Sequence, residues 1–164
     1  MSEQDGWRDN LVVNPEEIRE ILETTKRVAV LGIKPESRAG KAAHYVPKYL
    51  QDQGYDVVPV PTYYPDVTEI LGETVYREVA AVPGPVDMVD VFRKPTDIPS
   101  HVDDIIAKQP EVVWFQLGVR NDDAAERLAR AGIRVVQNRC TMADHRRLGL
   151  GTLPSGDVES QEEE

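Results

Sequence analysis

The chain has 164 residues, 40% of them apolar, enough for one domain with a single core. Its formal net charge of −10 argues against nucleic acid and anionic membranes as partners, and no apolar run approaches the roughly 20 residues of a membrane span. One cysteine, Cys140, and the scattered His44, His101 and His145 rule out an intrachain disulfide and argue against a metal site; the polar, acidic first residues carry no hydrophobic targeting core, so the expectation is a cytoplasmic protein.

Residues 1–13 read as a polar arm, 14–150 as one domain, and 151–164 as an acidic, disordered tail. Asn14-Pro15-Glu16-Glu17 is a helix start: Asn14 can cap, Pro15 suits the first helical position, and the glutamates favour the positive dipole end. Ile18, Ile21 and Leu22 then recur at helical spacing until about Lys26. Val28–Leu31 is a first strand. Gly40–Gln53 is a helix with Ala43, Val46, Tyr49 and Leu50 on one face and Gly54 as its stop; Pro47 inside it predicts a kink or a late start. Tyr55–Val60 is a second strand, and residues 61–76 are irregular. Val86–Phe92 is a third strand, Ile98–Lys108 a helix, Val112–Gln116 a fourth strand, Asp122–Ala131 a helix and Ile133–Gln137 a fifth strand. A short helix over Ala143–Leu148 closes the domain.

Strands that are nearly continuous apolar runs, alternating with helices, predict an α/β fold: a single Rossmann-like doubly wound domain with a mostly parallel five-stranded sheet and helices on both faces. Ligands of such sheets sit at the carboxyl ends of the strands. Basic residues follow four of the five strands: Lys34, Arg38 and Lys41, then Arg93 and Lys94, then Arg120, then Arg139. In a chain of net charge −10 this local positive edge points to an anionic ligand. The first turn, from Gly32 to Lys41, offers backbone N–H groups, the Ser37 hydroxyl and the start of a helix, all suited to phosphate.

The usual dinucleotide motif does not fit. Gly32 is followed by Ile33-Lys34-Pro35, so the second glycine is missing, and the second strand ends in Val60-Pro61 with no acid for a ribose. A Walker loop fails too, because Gly40-Lys41-Ala42 lacks the hydroxyl residue after lysine.

The stretches "VAVLGIKPESRAGKAAHYVPKYLQDQGYDVVPVPTYYP", "ILGETVY", "PVDMVDVFRKP", "VVWFQLGVRNDDAAERLARAGIRVVQNRC" and the closing "LG" together resemble the stand-alone CoA-binding domain proteins, which are similar to the N-terminal CoA-binding domain of the succinyl-CoA synthetase alpha subunit. The resemblance runs from Arg27 to Leu148. It implies coenzyme A, or an acyl-CoA, along the strand ends. On that resemblance Gly32, Ile33, Lys34, Pro35, Ser37, Arg38 and Lys41 would hold the phosphates. Val60, Pro61 and Thr62 would flank the adenosine end, as would Phe92, Arg93 and Pro95. Gln116, Leu117 and Gly118 would border the pantetheine arm, with Asn138, Arg139 and Cys140 further along. Relatives often carry a small hydroxyl residue where this chain has Lys34, and Asn-Pro where it has Pro61-Thr62; Tyr63 or Tyr64 is then a candidate to stack on the base.

The expected function is a non-catalytic binding or regulatory protein for coenzyme A. The alternatives are an NAD(P)-linked oxidoreductase, an accessory part of an acyl-CoA ligase, and an interaction module with an empty pocket. The phosphohistidine and ATP-grasp parts of the full synthetase have no counterpart in these residues. Cys140 reads either as a thiol able to meet the coenzyme A thiol or as a small filler, and His44 as a phosphate contact or a packed histidine. Asp87 and Asp90 interrupt an apolar strand and need partners if buried.

Overall fold

Asn14 caps the first helix as the sequence demands: its Oδ1 accepts the Glu16 N–H at 2.7 Å and Pro15 takes the first helical position. In the computed structural model, which describes residues 6–150, this helix, α1, spans Pro15–Thr24 and buries Ile18, Ile21 and Leu22. It leads into β1, Arg27–Leu31. There follow α2 (Ala42–Asp52), β2 (Asp56–Val60), a small antiparallel hairpin β3 (Glu69–Ile70) and β4 (Glu73–Thr74), then β5 (Met88–Val91), α3 (Val102–Lys108), β6 (Val112–Phe115), α4 (Asp122–Arg130), β7 (Arg134–Val136) and α5 (Thr141–Arg147). The Rossmann-like α/β fold expected from the sequence is the fold observed.

The main sheet is wholly parallel, in the order β2-β1-β5-β6-β7. After β2 the chain reverses direction across the sheet and returns on the other side of β1. The gap between the ends of β1 and β5 is therefore the topological switch point, where open α/β sheets leave a crevice.

Each strand feeds two cores, because successive side chains point to opposite faces. Val28 and Val30 pack with Met88, Val112 and Trp114 beneath α1 and α2, whereas Ala29 and Leu31 pack with Val89, Val91 and Phe115 beneath α3 and α4. This two-sided burial is why the strands read as continuous apolar runs. Asp90 is the exception. It lies in register between Val30 and Trp114 and is fully buried.

Two elements depart from the sequence expectation in detail. The segment expected as one helix from Ile98 begins as a 3-10 stretch over Pro95–His101 and becomes α-helical at Val102. Pro99 cannot donate into an α-helical ladder, which suits the tighter form. The stretch expected to be irregular, residues 61–76, holds the hairpin, whose two-residue strands carry no readable alternation. Part of the expected arm packs on the domain: Trp7–Asn10 form a 3-10 turn against α4, where Asn10 Nδ2 donates to the Ala129 carbonyl at 2.9 Å, and beyond it Leu11 bridges Val135 of the edge strand in parallel, Val12 donates to the Val135 carbonyl at 2.9 Å, and Val12 is buried. The expectation for residues 151–164 falls outside the described residues. No helix among the described residues is long and apolar enough to cross a membrane.

Candidate functional site

Gly32 ends β1 at the switch point, with φ +91°. A Cβ there would lie 2.2 Å from the Phe92 carbonyl oxygen, backbone that cannot swing aside, and 3.2 Å from Arg93 Cδ. Two loops thus meet at a contact only glycine permits, in a conformation glycine adopts without strain. Its N–H donates to the Val60 carbonyl at 2.9 Å, so the ends of β1, β2 and β5 converge on one residue.

Beyond Gly32 the turn is held from behind by α2. Pro47 lacks the N–H that would bond the Ala43 carbonyl four residues earlier. That carbonyl accepts the Lys34 N–H instead, at 3.1 Å, and α2 runs unbroken through Pro47. His44 is buried, and its Nδ1 lies 2.9 Å from the Lys34 carbonyl. Both backbone groups of Lys34 are therefore fixed by the first turn of α2, and His44 serves the turn as a packed brace. Ile33 and Pro35 point inward and are buried, while Ser37, Arg38 and Lys41 are exposed. Glu36 turns away to accept the Leu71 N–H at 2.7 Å. Among the described residues Arg38 and Lys41 have no ion-pair partner.

The loop after β2 borders the same turn. Val60 and Pro61 are buried and Thr62 is exposed. Arg77 gathers the next residues, donating to the carbonyls of Tyr63, Tyr64 and Val67 at 2.7–3.0 Å. Tyr63 and Tyr64 pack edge to face with centroids 5.1 Å apart, Lys34 Nζ lies 5.8 Å from the Tyr64 ring centre, and Tyr63 stays 70% exposed. Nothing in the local sequence marked Arg77 as the organiser of this loop, because its partners are 10 to 14 residues back.

On the other side of the switch point lies a mainly apolar cavity of about 480 Å³. Ala42, Tyr45 and Val46 of α2 form one wall, Phe92 to Pro95 a second, Gln116 to Val119 a third, and Cys140 and Met142 close it. Phe92, Pro95, Gln116, Leu117, Gly118 and Cys140 were expected at the site from the sequence and are brought together here; Tyr45, Val46, Val119 and Met142 were not foreseen. Tyr45 and Leu117 remain 44% and 71% exposed at the rim.

The arginines expected along this edge are already paired. Arg93 donates to Thr62 Oγ1 at 3.1 Å and to His101 Nε2 at 3.2 Å, and pairs with Asp97 at 3.4 Å. It ties the β2 and β5 loops together. Burial, with the Arg93 charge adding to it, pushes the His101 pKa down, consistent with a neutral imidazole accepting at Nε2. Arg139 grips Asp144 with two bonds of 2.6 and 2.9 Å, and Arg147 adds a third at 3.1 Å. Asn138 adopts φ 60° and its Oδ1 accepts the Gly118 N–H at 2.7 Å, joining the β6 and β7 loops. Asn138 and Arg139 thus shape the edge rather than line the cavity.

Asp87 and Asp90 prove to be unrelated. Asp87 Oδ2 accepts the N–H groups of Lys26 and Arg27 at 3.0 and 2.9 Å, tying β5 to the start of β1. Asp90 accepts from Gln116 Nε2 and, at 3.2 Å, from the Thr141 hydroxyl. Burial pushes its carboxyl up from 3.8 to about 7, against those two hydrogen bonds, which pull it down. Its partners lie 26 and 51 residues away, so no local pattern could have named them.

A family model for the CoA binding domain matches residues 26–146. The uncharacterized protein YneT of Bacillus subtilis (strain 168) is 33% identical over 129 residues, 79% of this chain and 92% of that protein. A hypothetical protein of Pyrococcus horikoshii OT3 of known structure matches with TM-score 0.76 and 40% identity, over 85% of this chain and 94% of that one. The dinucleotide-forming acetyl-coenzyme A synthetase 1 of Ca. Korarchaeum cryptofilum, solved with phosphate and ADP, matches with TM-score 0.57 and 21% identity over 67% of this chain and 25% of that one, a likeness of fold alone.

Proposed function

We propose, from the premise that this chain belongs to the CoA-binding domain family, that it binds coenzyme A or an acyl-CoA across the switch point as a binding or regulatory protein without chemistry of its own. The observation that carries the reading is the juxtaposition of two unlike surfaces. An exposed turn whose cations Arg38 and Lys41 have no ion-pair partner among the described residues opens beside an apolar cavity of about 480 Å³. Coenzyme A has the same two parts, a phosphate-rich nucleotide and a long, weakly polar arm. The turn suits the first through backbone N–H groups and positive charge, and the cavity suits the second through apolar walls with few polar groups.

Several features support binding over catalysis. The cavity lining includes one thiol, Cys140, and no histidine or carboxylate that would act as its base. Val60, Pro61 and Thr62, at the end of β2, provide no acid for the ribose of NAD. The position of Tyr63, exposed at the edge of the phosphate turn, suits a base stacked on its ring.

Thermal melting of the full chain with coenzyme A, acetyl-CoA, NAD, NADP and ATP in turn tests the reading. Coenzyme A or acetyl-CoA is expected to raise the melting temperature. A rise with NAD or NADP and none with either CoA compound overturns it.

A further inference from the structure

The Asp90 carboxylate sits where the neighbouring strands place Val30 and Trp114, in the apolar layer under α1 and α2. A buried carboxylate in such a row costs stability and calls for a compensating role. Its partners supply one. Gln116 Nε2 donates to Asp90 Oδ1 and also to Thr141 Oγ1, the latter at 2.9 Å, and the Thr141 hydroxyl donates to Asp90 Oδ2 at 3.2 Å. Both amide hydrogens and the one hydroxyl hydrogen are used, and both carboxylate oxygens accept.

With Asp90 ionised, the chemistry admits one orientation of the Gln116 amide. An ionised carboxylate only accepts, and the Thr141 hydrogen is directed at it, so the atom of Gln116 between them must be the NH₂. The reversed amide would set three oxygens against one another. Gln116 Oε1 is left over. It has no donor among the described residues, yet it is not shut in: the sealed, unpartnered side-chain atoms among those residues are Trp7 Nε1 and Gln53 Oε1. Gln116 itself is 3% exposed and lines the cavity. Its Oε1 is therefore a fixed acceptor at an apolar wall, strengthened because the same amide donates to a carboxylate.

We propose that Asp90 and Thr141 lock the Gln116 carboxamide so that its Oε1 accepts an amide N–H of the pantetheine arm, which makes Gln116 the residue that separates coenzyme A from nucleotides lacking that arm. Asp90 and Thr141 are positioning residues. The inference rests on the coenzyme A reading above. A donor is the required chemistry, since an acceptor placed there meets oxygen against oxygen and an apolar group leaves Oε1 unpaired.

Calorimetric titration of the full chain with coenzyme A and with ADP, at pH 8 where Asp90 is ionised, decides it. Wild-type protein is expected to bind coenzyme A more tightly than ADP. Gln116→Met should lose about tenfold in coenzyme A affinity, the size of one well-made hydrogen bond, with ADP affinity unchanged. Thr141→Val, close in shape and checked for folding by its melting curve, should lose part of the same preference, and Thr141→Ser should keep it. A purely structural role for the network would weaken both ligands together, or neither, and overturns the proposal. So does a coenzyme A preference retained in both Gln116→Met and Thr141→Val. Equal wild-type affinity for the two ligands overturns the coenzyme A reading itself and this inference with it.

Discussion

On the β2 side of the switch point the candidate site is an exposed turn whose cations Arg38 and Lys41 have no ion-pair partner among the described residues; on the β6–β7 side it is an apolar cavity lined by Arg93, which is tied to Asp97, and edged by Arg139, which is bound to Asp144. Both sides belong to the same strand edge and both are rich in basic residues. Charge in the first side is available to a ligand, and charge in the second is consumed in holding loops. A count of basic residues along an edge therefore overstates its positive field. What a cation does depends on whether a carboxylate already lies within reach.

The sharpest way to break this arrangement is at the point where the sides meet. Gly32→Ala puts a Cβ 2.2 Å from the Phe92 carbonyl oxygen and forces a positive φ on a residue that carries a Cβ. The strain and the overpacking together are expected to cost on the order of 5 kcal/mol. Urea unfolding should show a large drop in midpoint, and the surviving folded fraction should lose affinity for coenzyme A. A variant as stable as wild type would mean that the two loops separate easily.

The second test concerns the cavity side alone. The Asp90 carboxyl is raised from 3.8 to about 7 in the folded protein, so between those values the folded state holds a proton that the unfolded state has released. Its contribution to stability is present in full below about pH 4 and is lost as pH rises towards 7. A shift of about three units corresponds to roughly 4 kcal/mol. His101 and His145, whose pKa values burial lowers, act in the opposite sense below about pH 6.5, so the wild-type curve mixes the two. Asp90→Asn separates them. The stability of the variant relative to wild type should rise as pH goes from 5 to 8, measured by denaturant unfolding at each pH; a difference that stays flat would show that Asp90 does not titrate in that window.

How much of this was legible beforehand follows from the distance over which each feature is made. The Asn14 cap and the apolar runs of the strands depend on neighbours in sequence, and their type and place are readable there; Gly32 is readable as a turn, but the contact that requires glycine comes from Phe92, 60 residues on. The bounds shifted by a residue or two where helix ends fray into turns. Pro47 looked like a defect in α2 because its benefit lies elsewhere: the carbonyl it frees on Ala43 takes the Lys34 N–H. The fate of Arg139 was hidden because Asp144 lies on the next helix, and the partners of Asp90 were hidden because they come from β6 and α5. Position along a strand edge was readable; side-chain commitment was not.

Removing a cation from each side in turn separates the two roles of charge. Arg139→Ala leaves Asp144, which is largely buried, with only the half-exposed Arg147. The expected cost is about 2 kcal/mol in stability, with affinity for coenzyme A nearly unchanged, since Arg139 faces Asp144 and not the cavity. Arg38→Ala and Lys41→Ala should do the reverse. Neither holds a carboxylate among the described residues, so stability should move little, while each weakens coenzyme A binding by about fivefold, or about 1 kcal/mol, the scale of an exposed charge contact. That loss should shrink as salt is raised, because the Debye length falls to about 3 Å at 1 M, and the Arg38→Ala/Lys41→Ala double variant should show a flatter salt dependence than wild type. Calorimetry at low and high salt, alongside denaturant unfolding of all three single variants, reads both axes at once. If Arg139→Ala weakened binding as much as Lys41→Ala while stability held, the guanidinium would have to leave Asp144 for the ligand, and the division between an electrostatic side and a shape-selective side would collapse.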